Sequence, residues 1–162
     1  MRNYAGGVTP WGTWLTGEET GVAGHGYQFE VGKEHGDPAP LKAMGRFSHE
    51  ACMIDPNTGY VYETEDNGDT SGFYKFVPHK YGSLQDGGDL YMAKVVGVNQ
   101  ADLRSVSAVG TTWNIEWVKI DDPDATTETT FAQGFAKGGA RFRLPAARGR
   151  CSSSIPSTRR SS

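Results

Sequence analysis

Arg46–Phe76, RFSHEACMIDPNTGYVYETEDNGDTSGFYKF, decides how the rest of the chain is read. Its short apolar runs, broken by turn residues, predict three strands, Ser48–Asp55, Tyr60–Asp66 and Phe73–Val77. Pro56-Asn57-Thr58-Gly59 is the first turn: Pro56 fixes φ, Asn57 can bond its own backbone, and Gly59 accepts the left-handed conformation that ends a hairpin loop. Tyr60, Val61, Tyr62 and Thr64 are the β-branched and aromatic residues that suit a pleated surface. A hairpin needs none of the acid that comes with them. Glu50, Asp55, Glu63, Glu65, Asp66 and Asp69 crowd this stretch, and only Arg46 and Lys75 stand nearby to offset them.

Alternation along the strands places Glu50 with Cys52 and Ile54, and turns Glu65 and Asp66 to opposite faces. Asp69 sits in the loop Asn67-Gly68-Asp69-Thr70-Ser71-Gly72, which offers oxygen ligands on flexible backbone. Carboxylates at strand ends and tight loops suit a hard cation such as calcium. The helix–loop–helix calcium pattern is excluded, because Gly68 occupies its third ligand position and no helical periodicity flanks it. A solvated acidic edge explains the same residues, and both readings stand at this point.

The composition extends the β reading to the whole chain. The 162 residues include 22 glycines and 8 prolines, with 11% aromatics, enough for one domain of short strands and many turns. The net charge of -3 gives no reason to expect a nucleic-acid or membrane-surface partner. It conceals an asymmetry, since all 19 acids lie at or before Glu128 while Arg148, Arg150, Arg159 and Arg160 belong to the last residues. No apolar run is long enough to cross a bilayer, and no export signal opens the sequence. Cys52 and Cys151 make neither a disulfide framework nor a zinc pattern, and Cys52 reads as a small buried hydrophobe.

Taken in order, Gly6-Gly7 and Pro10 read as a turn, Gly12–Thr16 as a strand, and Glu18 and Glu19 as two more carboxylates at its end. Trp11 and Trp14 read as packing residues. Gly26–Val31, Asp89–Val98 and Thr111–Ile120 are further strands, the last with Trp113, Ile115 and Trp117 in alternation. His25 and His35 read as loop histidines rather than ligands. Phe131, Ala132, Phe135 and Ala136 fall at helical spacing, which predicts a short helix near residues 131–137. The sequence 144–162 lacks acids and any period, and reads as a disordered tail or as sequence translated out of the original frame.

Four motifs, in order through Asn3–Arg143, carry a family resemblance: AGG-x-TPWGTWL-x-x-EE (Ala5–Glu19), GRFSHEA (Gly45–Ala51), TEDxGD (Thr64–Asp69) followed by GFYKF, and TFAQGFAKGGARF (Thr130–Phe142). Together they resemble the PhoX family of bacterial alkaline phosphatases. The resemblance implies an all-β fold of antiparallel strands forming part of a β-propeller, with residues 1–143 as the propeller portion. It implies hydrolysis of phosphate monoesters at calcium and iron ions held by acidic residues, and a periplasmic or secreted location. Carried over by motif, Glu18, Glu19, Glu50, Asp66 and Asp69 are the implied metal ligands. Two departures bear on activity. Gly17 stands where the family has a cysteine bridging the irons, and after Arg143 the family continues with a glutamate where this sequence runs Leu144-Pro145-Ala146-Ala147. A glycine supplies no thiolate, so iron is the cofactor this sequence puts in question. The expectation is a phosphatase fragment of impaired activity, with a non-catalytic calcium-stabilised β module or a gene remnant as the alternatives.

Overall fold

The structure, a computed structural model, describes residues 3–32, 38–105 and 110–143. The tail reading for 144–162 and the reading of His35 lie outside these residues. The described chain is mostly β, with two antiparallel sheets and one short α-helix. Strands β1 (Asn3–Val8), β2 (Trp14–Glu18) and β3 (Gln28–Val31) form the first sheet in that order. Strands β4 (His49–Ile54), β5 (Val61–Glu65), β6 (Phe73–Pro78), β7 (Gly88–Val95) and β8 (Ile115–Lys119) form the second as a continuous meander. The helix α1 (Thr130–Ala136) lies against β7.

The three strands expected within Arg46–Phe76 are present as β4, β5 and β6, each a residue or so from its expected bounds. Their first turn closes as its residues dictate: Gly59 adopts φ +73° and donates its N–H to Asp55 O. The side chain of Asp55 accepts from Asn57 N and Thr58 Oγ1, so this acid belongs to the turn.

The first turn of the chain was misread. Residues 6 and 7 lie inside β1 and pair with Thr16 and Leu15. Glycine serves at position 6 because a Cβ there would strike the Trp14 indole, which lies across β1. Trp14 is accordingly half-exposed rather than a core residue, whereas Trp11 packs on the core and meets Tyr81 edge-on at 5.6 Å. The alternating face of Trp113 and Ile115 is also exposed. That segment reaches the core through Val118 and Ile120 instead.

One core joins both sheets. Leu15 of β2, Val61 of β5, Tyr74 and Phe76 of β6, Leu90 and Met92 of β7, together with Met44, Ile120 and Phe131, are all buried in it. Each such side chain contributes about 1.5–3 kcal/mol of burial. Cys52 is among them, as a small hydrophobe. The helix seats closely because Gly134 and Gly139 leave room for Met92, and Thr129 caps it by accepting from Ala132 N. On the opposite face of the second sheet, Lys75 rests over Trp117 at 4.6 Å and Tyr91 at 5.4 Å. Among the described residues it forms no ion pair with the neighbouring acids. The outer edge of β3 meets Pro40 in an isolated bridge with Phe29, and Leu41 N–H donates to Gln28 O.

Candidate metal centre

The acids that sequence reading counted together separate by the pleat of their strands. In β5 the buried positions are Val61, Glu63 and Glu65, so two carboxyl groups point into the molecule. Glu65 accepts from Tyr74 Oη at 2.7 Å and from Gly72 N–H at 3.0 Å, which ties the end of β5 to the start of β6. Burial lifts its carboxyl to about 7, against the opposing pull of these two donors. Glu63 lies deeper, 3.1 Å from His49 Nδ1, and Gln28 Nε2 donates to it at 3.3 Å. Burial pushes the Glu63 carboxyl up, while His49 and Gln28 pull the other way. The second ring nitrogen of His49 faces Gly26 O at 3.2 Å. All three of these side chains are fully buried, and Gln28 Oε1 and Glu63 Oε1 have no partner within the protein.

Three of the five expected ligands come together. Glu19 directly follows β2, Glu50 lies in β4, and Asp66 directly follows β5; each brings a carboxylate oxygen within 4.8 Å of the others. Asp66 is placed by its own N–H, which donates to Ser48 O. Glu50 is placed by an irregularity. The register of β4 on β5 slips between His49 and Ala51, leaving Glu50 as the extra residue of a bulge. Strict alternation from Cys52 and Ile54 therefore does not assign its direction, as the sequence reading had assumed. A bulge re-aims one side chain without disturbing the rest of a strand.

The other two expected ligands are engaged elsewhere. Glu18 is buried and accepts from Gly26 N–H at 2.7 Å and Tyr27 N–H at 3.1 Å, with His25 Nδ1 2.9 Å from its other oxygen. Burial would raise its carboxyl, but His25 and the two backbone donors outweigh that and hold it below the usual range. Asp69 is exposed and pairs with Arg104 at 3.2 Å, within a group in which Asp102 also receives Arg104 and Arg141.

Glu19, Glu50 and Asp66 suit a hard divalent cation: oxygens that bind one calcium at about 2.3–2.6 Å stand at most roughly 5 Å apart. Thiolate-bridged iron does not fit. Gly17 has no donor, and a Cβ built there would lie 2.7 Å from His49 Cβ and 3.1 Å from Gln28 Cδ. The buried polar cluster of Gln28, His49 and Glu63 occupies the space a side chain at 17 would enter. His49 adjoins Glu50 in sequence but turns to the interior. Gln28 carried no signal, because its burial depends on the facing of two separate sheets.

Beside the acids lies a cavity of about 210 Å³, whose walls include His25, Arg46, Ser48, Asp66, Asn67 and Thr129. Arg46 donates to Ala125 O at 2.7 Å, and its Nε is buried without a partner.

The family model of alkaline phosphatase PhoX matches residues 1–148. The fold is similar to a solved structure described as Pseudomonas fluorescens PhoX in complex with vanadate, a transition state analogue, with a TM-score of 0.56 and 19% identity. That likeness covers 88% of this chain but 36% of the other, so the chain spans about a third of the relative it resembles. No curated protein matches the sequence. With its family model matched from end to end of the described residues, this chain belongs to the PhoX alkaline phosphatase family.

Proposed function

We propose that residues 1–143 are part of a β-propeller that binds calcium, at a site for hydrolysis of phosphate monoesters in the periplasm or outside the cell, with 144–162 as a separate tail. The observation that carries this reading is the convergence of Glu19, Glu50 and Asp66 from three separate segments. Family membership supports the phosphomonoester substrate, and vanadate in the similar structure is consistent with phosphoryl chemistry. A cation bound by these carboxylates would attract phosphate oxygens and stabilise charge that builds on them. The chain's own part is to hold three carboxylates in place, through the bulge at Glu50 and the bond from Asp66 N–H to Ser48 O.

One observation favours a second reading, a calcium-stabilised β module without catalysis. The filled space at Gly17 and the absence of a thiolate leave the iron part of a family site without a ligand. Calorimetric titration with calcium, followed by p-nitrophenyl phosphate turnover at alkaline pH, separates the two. We expect calcium binding that Glu50→Gln weakens at least tenfold, and turnover little above that of Glu50→Ala. Turnover well above that control makes the chain an enzyme in its own right. Calcium binding unaffected by Glu50→Gln removes both readings.

A further inference from the structure

The described arginines divide into two kinds. Arg104 and Arg141 pair with Asp102, and Arg143 approaches Asp69 at 3.9 Å. Arg46, among the described residues, has no carboxylate within ion-pair distance, although its charge reaches Asp124 and lowers that carboxyl. It is also the arginine that walls the 210 Å³ cavity at whose rim Asp66 stands. Glu65, the other acid lining that cavity, already accepts from Tyr74 Oη and Gly72 N–H. Beyond the cavity, Asp124 takes Tyr27 Oη at 2.6 Å and Lys42 Nζ at 2.9 Å. The remaining polar walls, Ser48, Asn67, Thr129 and His25, can all donate hydrogen bonds.

A guanidinium with donors to spare, in a cavity with further donors, fits a compact anion with several oxygens. We propose that this cavity is an oxyanion subsite in which Arg46 binds the phosphoryl oxygens of a phosphate monoester. The inference rests on the phosphomonoester reading above and extends it to a binding residue outside the acid cluster. Asp66 on the rim repels an anion by itself, so a cation on Glu19, Glu50 and Asp66 strengthens capture, while Arg46 supplies the part that is independent of metal. The volume, below that of pockets that enclose drug-sized ligands at about 300–1,000 Å³, suits the phosphoryl group and leaves the ester's organic part outside.

The test is binding of inorganic phosphate, measured by calorimetry with and without calcium, to the wild type, Arg46→Lys and Arg46→Met. We expect Arg46→Met to lose about tenfold to a hundredfold in phosphate affinity, the scale of a charge-assisted bond, with calcium affinity unchanged. Arg46→Lys should keep part of the binding, since the charge remains and the fork does not. Arg46 also holds Ala125 O, so circular dichroism accompanies each variant. Ser48→Leu obstructs the cavity without touching that bond, and should weaken phosphate to a similar extent. Phosphate affinity indifferent to both Arg46→Met and Ser48→Leu overturns the proposal, as does a calcium-loaded wild type that binds no phosphate. Calcium binding that fails while Arg46-dependent phosphate capture persists removes the calcium site and leaves this subsite standing.

Discussion

Two acidic regions lie on neighbouring parts of the molecule and resolve their charge in opposite ways. Around Asp102, carboxylates and arginines are interleaved: Arg104 and Arg141 close on Asp102, and Arg104 reaches on to Asp69. At the end of β2 and β5, Glu19 and Asp66 form no ion pair among the described residues, yet stand beside Glu50 within 4.8 Å. Like charges at that separation oppose folding unless something of opposite sign joins them. The first region is complete within the chain, and the second groups three carboxylates that could hold a cation. Residue type is therefore a poor guide to ligation, and the partner already present is the better one.

The sharpest way to break this contrast is to remove a carboxyl that supports the second region from within. Glu65→Ala deletes the acceptor of Tyr74 Oη and Gly72 N–H in a buried setting. We expect a loss of about 3 kcal/mol, the scale of breaking buried polar partners. That corresponds to roughly 6–12 °C of melting temperature for a chain of this size, with weaker calcium binding as Asp66 loses its support. Gly17→Cys comes next. Its Cβ meets His49 at 2.7 Å, so overpacking should cost about 1–3 kcal/mol and no thiolate–iron absorption should appear on adding ferric iron. An iron-dependent band would show that the buried cluster yields, and would restore the family centre.

Calcium itself should stabilise by mass action, by about 2.7 kcal/mol at a hundredfold excess over its dissociation constant, and chelator should reverse it. Thermal melts with and without calcium measure this, and Asp69→Ala should respond to calcium as the wild type does, because Asp69 faces arginines. A lost response in Asp69→Ala would move that residue into the metal shell. The smallest effect is alkaline. Burial, then the Asp124 bond, pushes the Tyr27 phenol up to about 12, and burial with Glu65 pushes Tyr74 above its ordinary range. The unfolded phenols lose their protons first, so stability falls as pH rises through 10 toward 12. Ultraviolet titration of the phenols should show these two ionising only with unfolding.

How far the sequence foretold this depends on the kind of signal each residue carried. The hairpin from Ser48 to Phe76 was legible because turn chemistry and alternation agree there, down to Gly59. The helix was legible from Phe131 and Phe135, and Gly134 within it is what seats it on Met92. β1 was hidden, since Gly6 and Gly7 are turn residues by habit and strand residues only where Trp14 crosses them. For the candidate centre, Glu19, Glu50 and Asp66 were named together from motif and charge. The separation of Glu18 and Asp69 from them was not readable. It depends on Gly26 and Tyr27 N–H groups from the next strand and on Arg104, which arrives from far along the chain. Arg46 had been read as a neutralising neighbour of the acids, and only the structure shows it lining a cavity with no carboxylate at ion-pair distance among the described residues.

The bridge of Phe29 to Pro40 bears on how these sheets behave in a crowded solution. An edge strand with a free row of N–H and C=O groups is a template for adding further chains, and so for fibrous aggregation. Pro40 covers the outer side of β3 with a residue that has no N–H to offer, and Leu41 already occupies Gln28 O. At the other margin, Lys137 Nζ takes Lys119 O at 2.8 Å and puts a positive charge against the end of β8. The edges at β3 and β8 thus carry residues that discourage strand-by-strand polymerisation, a protection that does not depend on any metal.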